Sequence, residues 1–414
     1  MRLRGGLVDI RPLRSSPAFR RLWVGSTLSA LGGQLAVFAV LYQVWELTGS
    51  PVAVGTVGLA QAVPMVAFGL VGGSLADAVD RRRLALFATT GQVLCAGLLA
   101  GQALIGLGSL VVLLALVSLQ AACGALGAPA RRSFVARLLS GDQVGAGIAL
   151  THLGFQAAML VGPALAGVVT ARWGVGACYL LDALTFGAAL YATARLRPMR
   201  PVEELTRPGI RTAWAGWRFV VGQPVLSGAF LTDVLATVMA MPIALFPAIN
   251  EQRFGGRPET LGLFLSAIAV GGITAGAASG TVTRAGRPGS VMLAAAAVWG
   301  LGLAGFGVAQ PLWLVLSCLA VAGAADTISV ISRGAIVQLA TPDSHRGRVS
   351  AVEHIVGVSG PDLGNFRGGL VGGATSASFA VICGGVLCVL GVAGLALANP
   401  SLRRFTTADR SLSM

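Results

Sequence analysis

The sequence predicts an all-α membrane protein with twelve transmembrane helices arranged in two pseudo-symmetric six-helix halves. Of the 414 residues, 55% are hydrophobic and only 11% are charged, which is too little polar surface to cover a water-soluble globule. We count twelve apolar runs, each near the roughly 20 residues that a spanning helix needs. Because these runs nearly exhaust the length, we expect the lipid bilayer to surround the chain and no separate soluble domain.

The charge pattern indicates how the helices cross the membrane. All 30 basic residues are arginines, and the net charge of +14 is spread over short clusters between apolar runs. This pattern is typical of membrane topology and argues against nucleic-acid binding. Arginine is abundant after even-numbered runs and nearly absent after odd-numbered ones, so we expect a multi-pass protein of the cytoplasmic membrane with both termini in the cytoplasm.

The missing residue types exclude several kinds of chemistry. Without lysine the chain has neither a Walker A phosphate loop nor a pyridoxal Schiff base. The six cysteines lie inside apolar runs, without the spacing of a metal site or a disulfide framework. We therefore expect no enzyme activity, no cofactor and no metal.

The helices follow from the apolar runs in order. The first has no signal-peptide cleavage site after it, and the second ends at a turn around Asp77. In chain order, the predicted runs with two defined ends are 22–45, 84–107, 175–194, 225–249, 260–282, 291–309, 312–339, 349–370 and 376–397. The fourth run ends at Pro129, and the fifth extends from about Val144 to Arg172.

An arginine-rich segment separates the two halves. Ile210, Trp214, Trp217 and Val221 recur at helical spacing beside arginines, which predicts an interfacial helix on the cytoplasmic leaflet. A disordered joint is an equally good interpretation of the residues before Gly209. The predicted domains are residues 1–194, 195–223 and 224–414.

The second half repeats the first. Arg132–Asp142 parallels Arg333–Asp343, and Gly162-Pro163 parallels Gly360-Pro361, with offsets near 200 residues. Such offsets imply two halves related by an axis along the membrane normal. The repeat puts Arg333 at a cytoplasmic helix end, where its side chain is expected to snorkel to the interface.

The turn Gly72-Gly-Ser-Leu-Ala-Asp-Ala-Val-Asp-Arg-Arg-Arg83 joins the second and third runs. It resembles the loop between helices 2 and 3 of the major facilitator superfamily, which clamps the cytoplasmic gate in that family. The resemblance makes Gly73, Asp77, Arg81 and Arg82 candidate gate residues, although an ordinary stop-transfer turn would explain the same charges. Asp80 stands where the superfamily usually has glycine, as in the branch that includes enterobactin and macrolide exporters.

The fifth run resembles the antiporter motif of the same superfamily. Gly162, Pro163 and Gly167 form a Gly-Pro bend with small residues, a pattern associated with exporters. Ordinary helix packing is the alternative explanation. Gln120 replaces the family arginine that is linked to proton transfer.

Polar residues inside the apolar runs are the remaining candidates, because a charge there costs about 3 kcal/mol or more. Asp233, Asp326 and Asp362 are the candidates for proton coupling, whereas Asp182 is expected to be structural. A lone membrane histidine more often makes a helix–helix hydrogen bond than a ligand contact. The candidates for the substrate cavity are Gln34, Gln61, Gln120, His152 and Gln156.

The resemblance to the enterobactin exporter family implies proton-coupled efflux of a small amphipathic molecule by alternating access. A siderophore is the first expected cargo, and multidrug or macrolide efflux is the alternative. The expected partners are a small-molecule substrate, protons and the lipid bilayer, with no nucleic acid, and the chain is expected to be monomeric. A membrane scaffold or a membrane enzyme is less compatible with the repeat and the polar residues.

Overall fold

The computed structural model describes residues 9–199, 210–280, 286–342 and 345–406, and these are helical without any strand. Within them, eleven helices are long and apolar enough to cross a membrane. A further helix, Arg346–Ala374, has the length of 29 residues but carries several charges. The all-α membrane class predicted from the sequence is confirmed.

The long helices mostly extend a few residues beyond the predicted runs, because flanking polar residues continue the helical hydrogen bonding. They are α1 (Pro17–Thr48), α2 (Pro51–Ala78), α3 (Arg81–Leu104), α4 (Leu110–Arg132), α5 (Gly141–Trp173), α6 (Val175–Ala194), α7 (Pro224–Phe254), α8 (Pro258–Ala277), α9 (Pro288–Val308), α10 (Leu312–Ala340), α11 (Arg346–Ala374) and α12 (Ala377–Ala398). Shorter helices span Arg11–Ser15, Phe134–Leu138, Ile210–Gly222 and Pro400–Arg404.

The prediction of one continuous seventh helix is wrong. The α7 span consists of a helix Pro224–Ala240, a 3₁₀ turn Ile243–Leu245 and a second helix Phe246–Phe254. Met241 is extended, with φ −64° and ψ 120°. Pro242 disfavours the helical conformation of the residue before it and cannot donate a backbone hydrogen bond, so the helix stops there.

Two compact units emerge from the contacts within the chain. The first is Met1–Gln43 with Val63–Arg207, and the second is Val44–Ala62 with Pro208–Met414. The Val44–Ala62 hairpin, which joins α1 to α2, therefore groups with the second unit. The division into residues 1–194, 195–223 and 224–414 stays a prediction, and residues 200–209 of that linker lie outside the described part.

Glycines let the Val44–Ala62 hairpin lie directly against α11. A Cβ added to Gly58 would be 2.8 Å from the carbonyl oxygen of Asp362, and one on Gly55 would be 2.9 Å from that of Asn365. Real side chains do not tolerate such distances to a backbone. This contact is the close helix packing through small residues that membrane helices use.

The linker helix Ile210–Gly222 has two different faces. Gly216 and Val220 are buried, and Val220 belongs to an apolar cluster with Leu226, Phe230 and Val349. Trp217 and Val221, in contrast, are exposed. The predicted interfacial helix is thus anchored on the second unit by one face and leaves an aromatic residue on the other.

The turn between α2 and α3 is held by Asp80. Its Oδ1 accepts hydrogen bonds from the backbone N–H groups of Arg82 and Arg83, at 2.8 and 3.2 Å, and so caps α3. Its Oδ2 accepts a third from the N–H of Met199 at 3.1 Å, while Arg81 N–H donates to the carbonyl of Met199. One carboxylate therefore joins the start of α3 to the chain that follows α6.

Replacing Asp80 by alanine should lower the thermal stability of the purified protein. An N-cap contributes about 1 kcal/mol, and the variant also loses the acceptor for Met199. Thermal unfolding in detergent measures the effect, with Ser376→Ala as the matched control because Ser376 caps α12 through a single bond to Phe379. An Asp80→Ala shift no larger than the Ser376→Ala shift would contradict this role.

Candidate functional site

A buried ion pair joins α7 to α10 in the second unit. Arg333 Nη1 contacts Asp233 Oδ1, and each residue is only 7% exposed. Asp233 Oδ2 and Arg333 Nε make no hydrogen bond within the described residues. Each partner therefore keeps one buried polar atom whose hydrogen-bonding capacity is unused within the described residues.

Two more carboxylates lie around this pair. Glu353 Oε1 of α11 is 3.7 Å from Arg333 Nε, too far for a hydrogen bond. Asp326 precedes Arg333 by seven residues on α10, which puts it on the same face about 10.5 Å away along the helix. The charges of Asp233 and Arg333 both act on Asp326. Asp233, Asp326, Arg333 and Glu353 are called the acidic cluster below.

The expectation that Arg333 snorkels to the interface is wrong. The repeat pairs it with Arg132, but Arg132 is exposed whereas Arg333 is buried. Arg333 lies seven residues before the end of α10 and turns inward to Asp233. Arg333, the positive charge opposite Asp233, is not among the predicted site residues. Only a comparison of the charges carried by α7 and α10 could have suggested this pair.

The third predicted acid, Asp362, lies elsewhere. It is half-buried on α11, beside Gly58 of α2. Its carboxylate makes no ion pair or hydrogen bond within the described residues. The structure thus brings Asp233 and Asp326 together and leaves Asp362 outside the acidic cluster.

The break in α7 is stabilised by side chains from α9 and α11. Arg367 Nη2 donates to the carbonyl of Met239, and Trp299 Nε1 donates to that of Ala236 at 3.2 Å. Asn365 Oδ1 accepts from the N–H of Ala244 at 3.2 Å. The carbonyl of Met239 and the N–H of Ala244, which lose their helical partners at the break, therefore keep partners, as the interior of a membrane protein requires.

In the first unit the buried polar groups are mostly neutral. Asp182 of α6 is 0% exposed, and its Oδ2 accepts a 3.0 Å hydrogen bond from Gln120 Nε2 of α4. Its Oδ1 has no partner within the described residues. Gln120, predicted to line the cavity, is thus engaged with the acid that was predicted to be structural.

A second neutral network was not predicted. Gln43 and Gln102 exchange two amide hydrogen bonds of 3.2 and 3.0 Å between α1 and α3. The hydroxyl of Tyr179 on α6 donates to Gln43 Oε1 at 2.9 Å. All three are buried, so the network ties three helices together, and uncharged residues gave no signal for it in the sequence.

The other cavity candidates make no side-chain hydrogen bond within the described residues. His152 of α5 is exposed, and Gln34, Gln61 and Gln156 are half-buried. Gln34 lies against α5, where a Cβ at Gly162 would overlap it. Their role in a cavity stays a prediction.

The two sequence motifs occupy packed positions. Gly162, Pro163 and Gly167 are buried in an unbroken α5, so the ordinary packing of α5 on α1 accounts for Gly162 locally. The antiporter role of the motif stays a prediction.

The gate residues are only partly described. Arg82 Nη2 donates to the carbonyl of Ala194 at 2.7 Å, and a Cβ at Gly73 would meet nothing within 4 Å. Gly72, in contrast, lies against the backbone of Leu126 on α4. The side chain of Asp77 lies outside the described part, so the gate role of Gly73, Asp77, Arg81 and Arg82 stays a prediction.

The ion pair predicts a strong energetic coupling between its two partners. Removing either charge should cost about 3–5 kcal/mol, because the other stays buried without a partner, and removing both should cost less than the sum. Apparent melting temperatures of Asp233→Asn, Arg333→Gln and the double variant measure the coupling.

The exposed Asp9–Arg11 pair is the matched control. There the hydrogen bonds from Arg11 lower the pKa of Asp9, but water already solvates both groups, and no comparable coupling is expected. Additive effects at Asp233 and Arg333 would contradict the pairing.

Comparisons with known proteins identify the family and the fold of the chain. The family model described as transmembrane secretion effector matches residues 9–413. The enterobactin exporter EntS of Citrobacter koseri is 28% identical over 403 residues, which cover 96% of each chain. EntS of Escherichia coli O139:H28 is 27% identical with the same coverage.

Solved structures show the same fold at low identity. The nucleoside transporter NupG has a TM-score of 0.70 at 14% identity, covering 94% of this chain and 100% of that one. A bacterial homologue of the iron transporter ferroportin, in an inward-facing state, has a TM-score of 0.71 at 15% identity, covering 92% and 98%. The chain therefore belongs to the transmembrane secretion effector family of the major facilitator superfamily, whose members are transporters and not enzymes.

Proposed function

We propose that this protein exports a small amphipathic molecule, a siderophore, across the cytoplasmic membrane by proton-coupled alternating access. The observation that carries the proposal is the likeness to enterobactin exporters over 96% of both chains. The family description as a secretion effector supports the outward direction. Both termini would be cytoplasmic, as the arginine distribution predicts, and a single chain would be the working unit.

Charge balance in the acidic cluster supports proton coupling. Asp233 and Glu353 lie beside the Arg333 guanidinium, Asp326 lies on the same face of α10, and uncompensated charge is costly where water is scarce. Binding of a proton reduces this imbalance. A proton on Asp233 would also weaken the ion pair and occupy the carboxylate that a hydrogen-bond donor of the cargo would otherwise contact, so proton and cargo would compete for one site.

The predicted motifs complete the proposal. Gly73, Asp77, Arg81 and Arg82 would close the cytoplasmic gate, and Gly162, Pro163 and Gly167 would shape α5. The uncharged groups of Gln34, Gln61, His152 and Gln156 would contact an amphipathic cargo among apolar walls. Gln120 would act through its hydrogen bond to Asp182.

Transport into inside-out vesicles tests the proposal. With a vesicle interior more acidic than the medium, we expect accumulation of enterobactin that an uncoupler abolishes. Asp233→Asn should reduce accumulation to the level with uncoupler, because it removes the proton-binding carboxylate. Asp142→Asn is the matched control, since Asp142 is an exposed acid at the start of α5 and should leave accumulation unchanged.

The same vesicles distinguish the alternatives. Accumulation of a macrolide without accumulation of enterobactin would replace the siderophore by a drug as the cargo. Full gradient-driven transport by Asp233→Asn would exclude the acidic cluster as the coupling site. Net movement of enterobactin out of inside-out vesicles under this gradient would contradict export.

A further inference from the structure

A cavity of about 720 Å³ lies at the arginine-rich end of the first unit. Three chain segments form it: the start of α1, the short helix Phe134–Leu138, and the residues that follow α6. Its lining consists of Pro17, Ala18, Arg21, Arg137, Leu138, Arg195, Leu196, Arg197, Pro198 and Met199. This cavity is called the arginine pocket below.

The arginine pocket concentrates positive charge. Four of its ten lining residues are arginines, and none of these described lining residues is acidic. Arg21, Arg195 and Arg197 are exposed, whereas Arg137 is half-buried. Like charges around one cavity repel each other, and an anion bound among Arg21, Arg195 and Arg197 would reduce that repulsion.

The internal repeat shows that this charge is not a general property of the fold. Arg137 and Leu138 correspond to Gln338 and Leu339, which line a cavity of about 500 Å³ in the second unit. Among the described residues that line that cavity, Ala335, Gln338, Leu339 and Arg346, one is an arginine. In the part of the chain that the structure describes, the cavity of the first unit therefore has several guanidinium groups where its counterpart has one.

The neighbouring aromatic residue indicates a position at the membrane surface. Tyr191 is 57% exposed in the last turn of α6, where tyrosine is typical of the lipid–water interface. The guanidinium carbon of Arg195 lies 5.3 Å from its ring centroid. At such an interface Arg195 and Arg197 would lie near lipid headgroups, beside a cavity large enough for a phosphate and its glycerol.

We propose that the arginine pocket binds the phosphate headgroup of an anionic phospholipid. Guanidinium groups bind phosphate oxygens with paired hydrogen bonds, and basic pockets between transmembrane helices are suited to acidic headgroups. The apolar side chains of Leu138 and Leu196 would contact the glycerol end of the lipid. A bound lipid would join α1, the Phe134–Leu138 helix and the chain after α6 at one point, whatever cargo the protein carries.

Lipid titration of the purified full chain in detergent tests the proposal. The probes are a short-chain phosphatidylglycerol, phosphatidylcholine with the same acyl chains, and glycerol phosphate, with bound lipid counted by native mass spectrometry. We expect preferential binding of phosphatidylglycerol. Each arginine near an acidic headgroup should contribute about fivefold in affinity, so Arg195→Gln/Arg197→Gln should weaken binding about 25-fold.

The control variant Arg403→Gln/Arg404→Gln removes the same net charge from exposed positions outside the pocket and should bind as the unmodified chain does. Arg21→Gln, on α1, gives an independent test with an expected loss of about fivefold. Equal losses of phosphatidylglycerol affinity in the two double variants would show that the lipid responds to the net charge of the protein. That result would overturn the arginine pocket as its binding site. Glycerol phosphate binding as tightly as phosphatidylglycerol would instead identify a site for a soluble phosphate and overturn the lipid.

Discussion

The ion pair between Asp233 and Arg333 constrains the whole second unit. Lipid cannot solvate either charge, so the faces of α7 and α10 that carry them must stay together while the pair exists. Eight residues beyond Asp233, α7 breaks at Met241, and backbone groups near the break bond to Arg367, Asn365 and Trp299. Polar contacts at Asp233 and near the break therefore attach α7 to α9, α10 and α11.

The first unit must also provide partners for its buried polar groups, and it does so mostly through hydrogen bonds between neutral groups. Among its described residues the buried polar groups are amides, threonine hydroxyls, a phenol and one carboxyl, and the hydrogen bonds of Gln43, Gln102 and Tyr179 carry no net charge. Within the described residues, the carboxyl of Asp182 accepts one hydrogen bond, from the amide of Gln120. The two halves share a repeat in sequence, but the buried ion pair of Asp233 and Arg333 lies in the second, so under the proposal a proton would act on the ionic contacts of that unit.

Hydropathy predicted the fold class and most helices, because the bilayer demands long apolar runs. Asp233 stood out for the same reason, as a charge inside such a run. Arg333 was misplaced because the repeat indicates position along a helix but not the direction of a side chain. The break at Met241 was readable from Pro242. The network of Gln43 and Gln102 was not, because a neutral amide shows its partner only after the helices have packed.

Under the proposed function, the acidic cluster exchanges a proton for cargo. Proton release on siderophore binding to the purified protein, followed with a pH-indicating dye in weakly buffered detergent solution, tests it most directly. We predict that the unmodified chain releases protons on binding, and that Asp233→Asn still binds the siderophore but releases none. Equal proton release by both proteins would contradict the account.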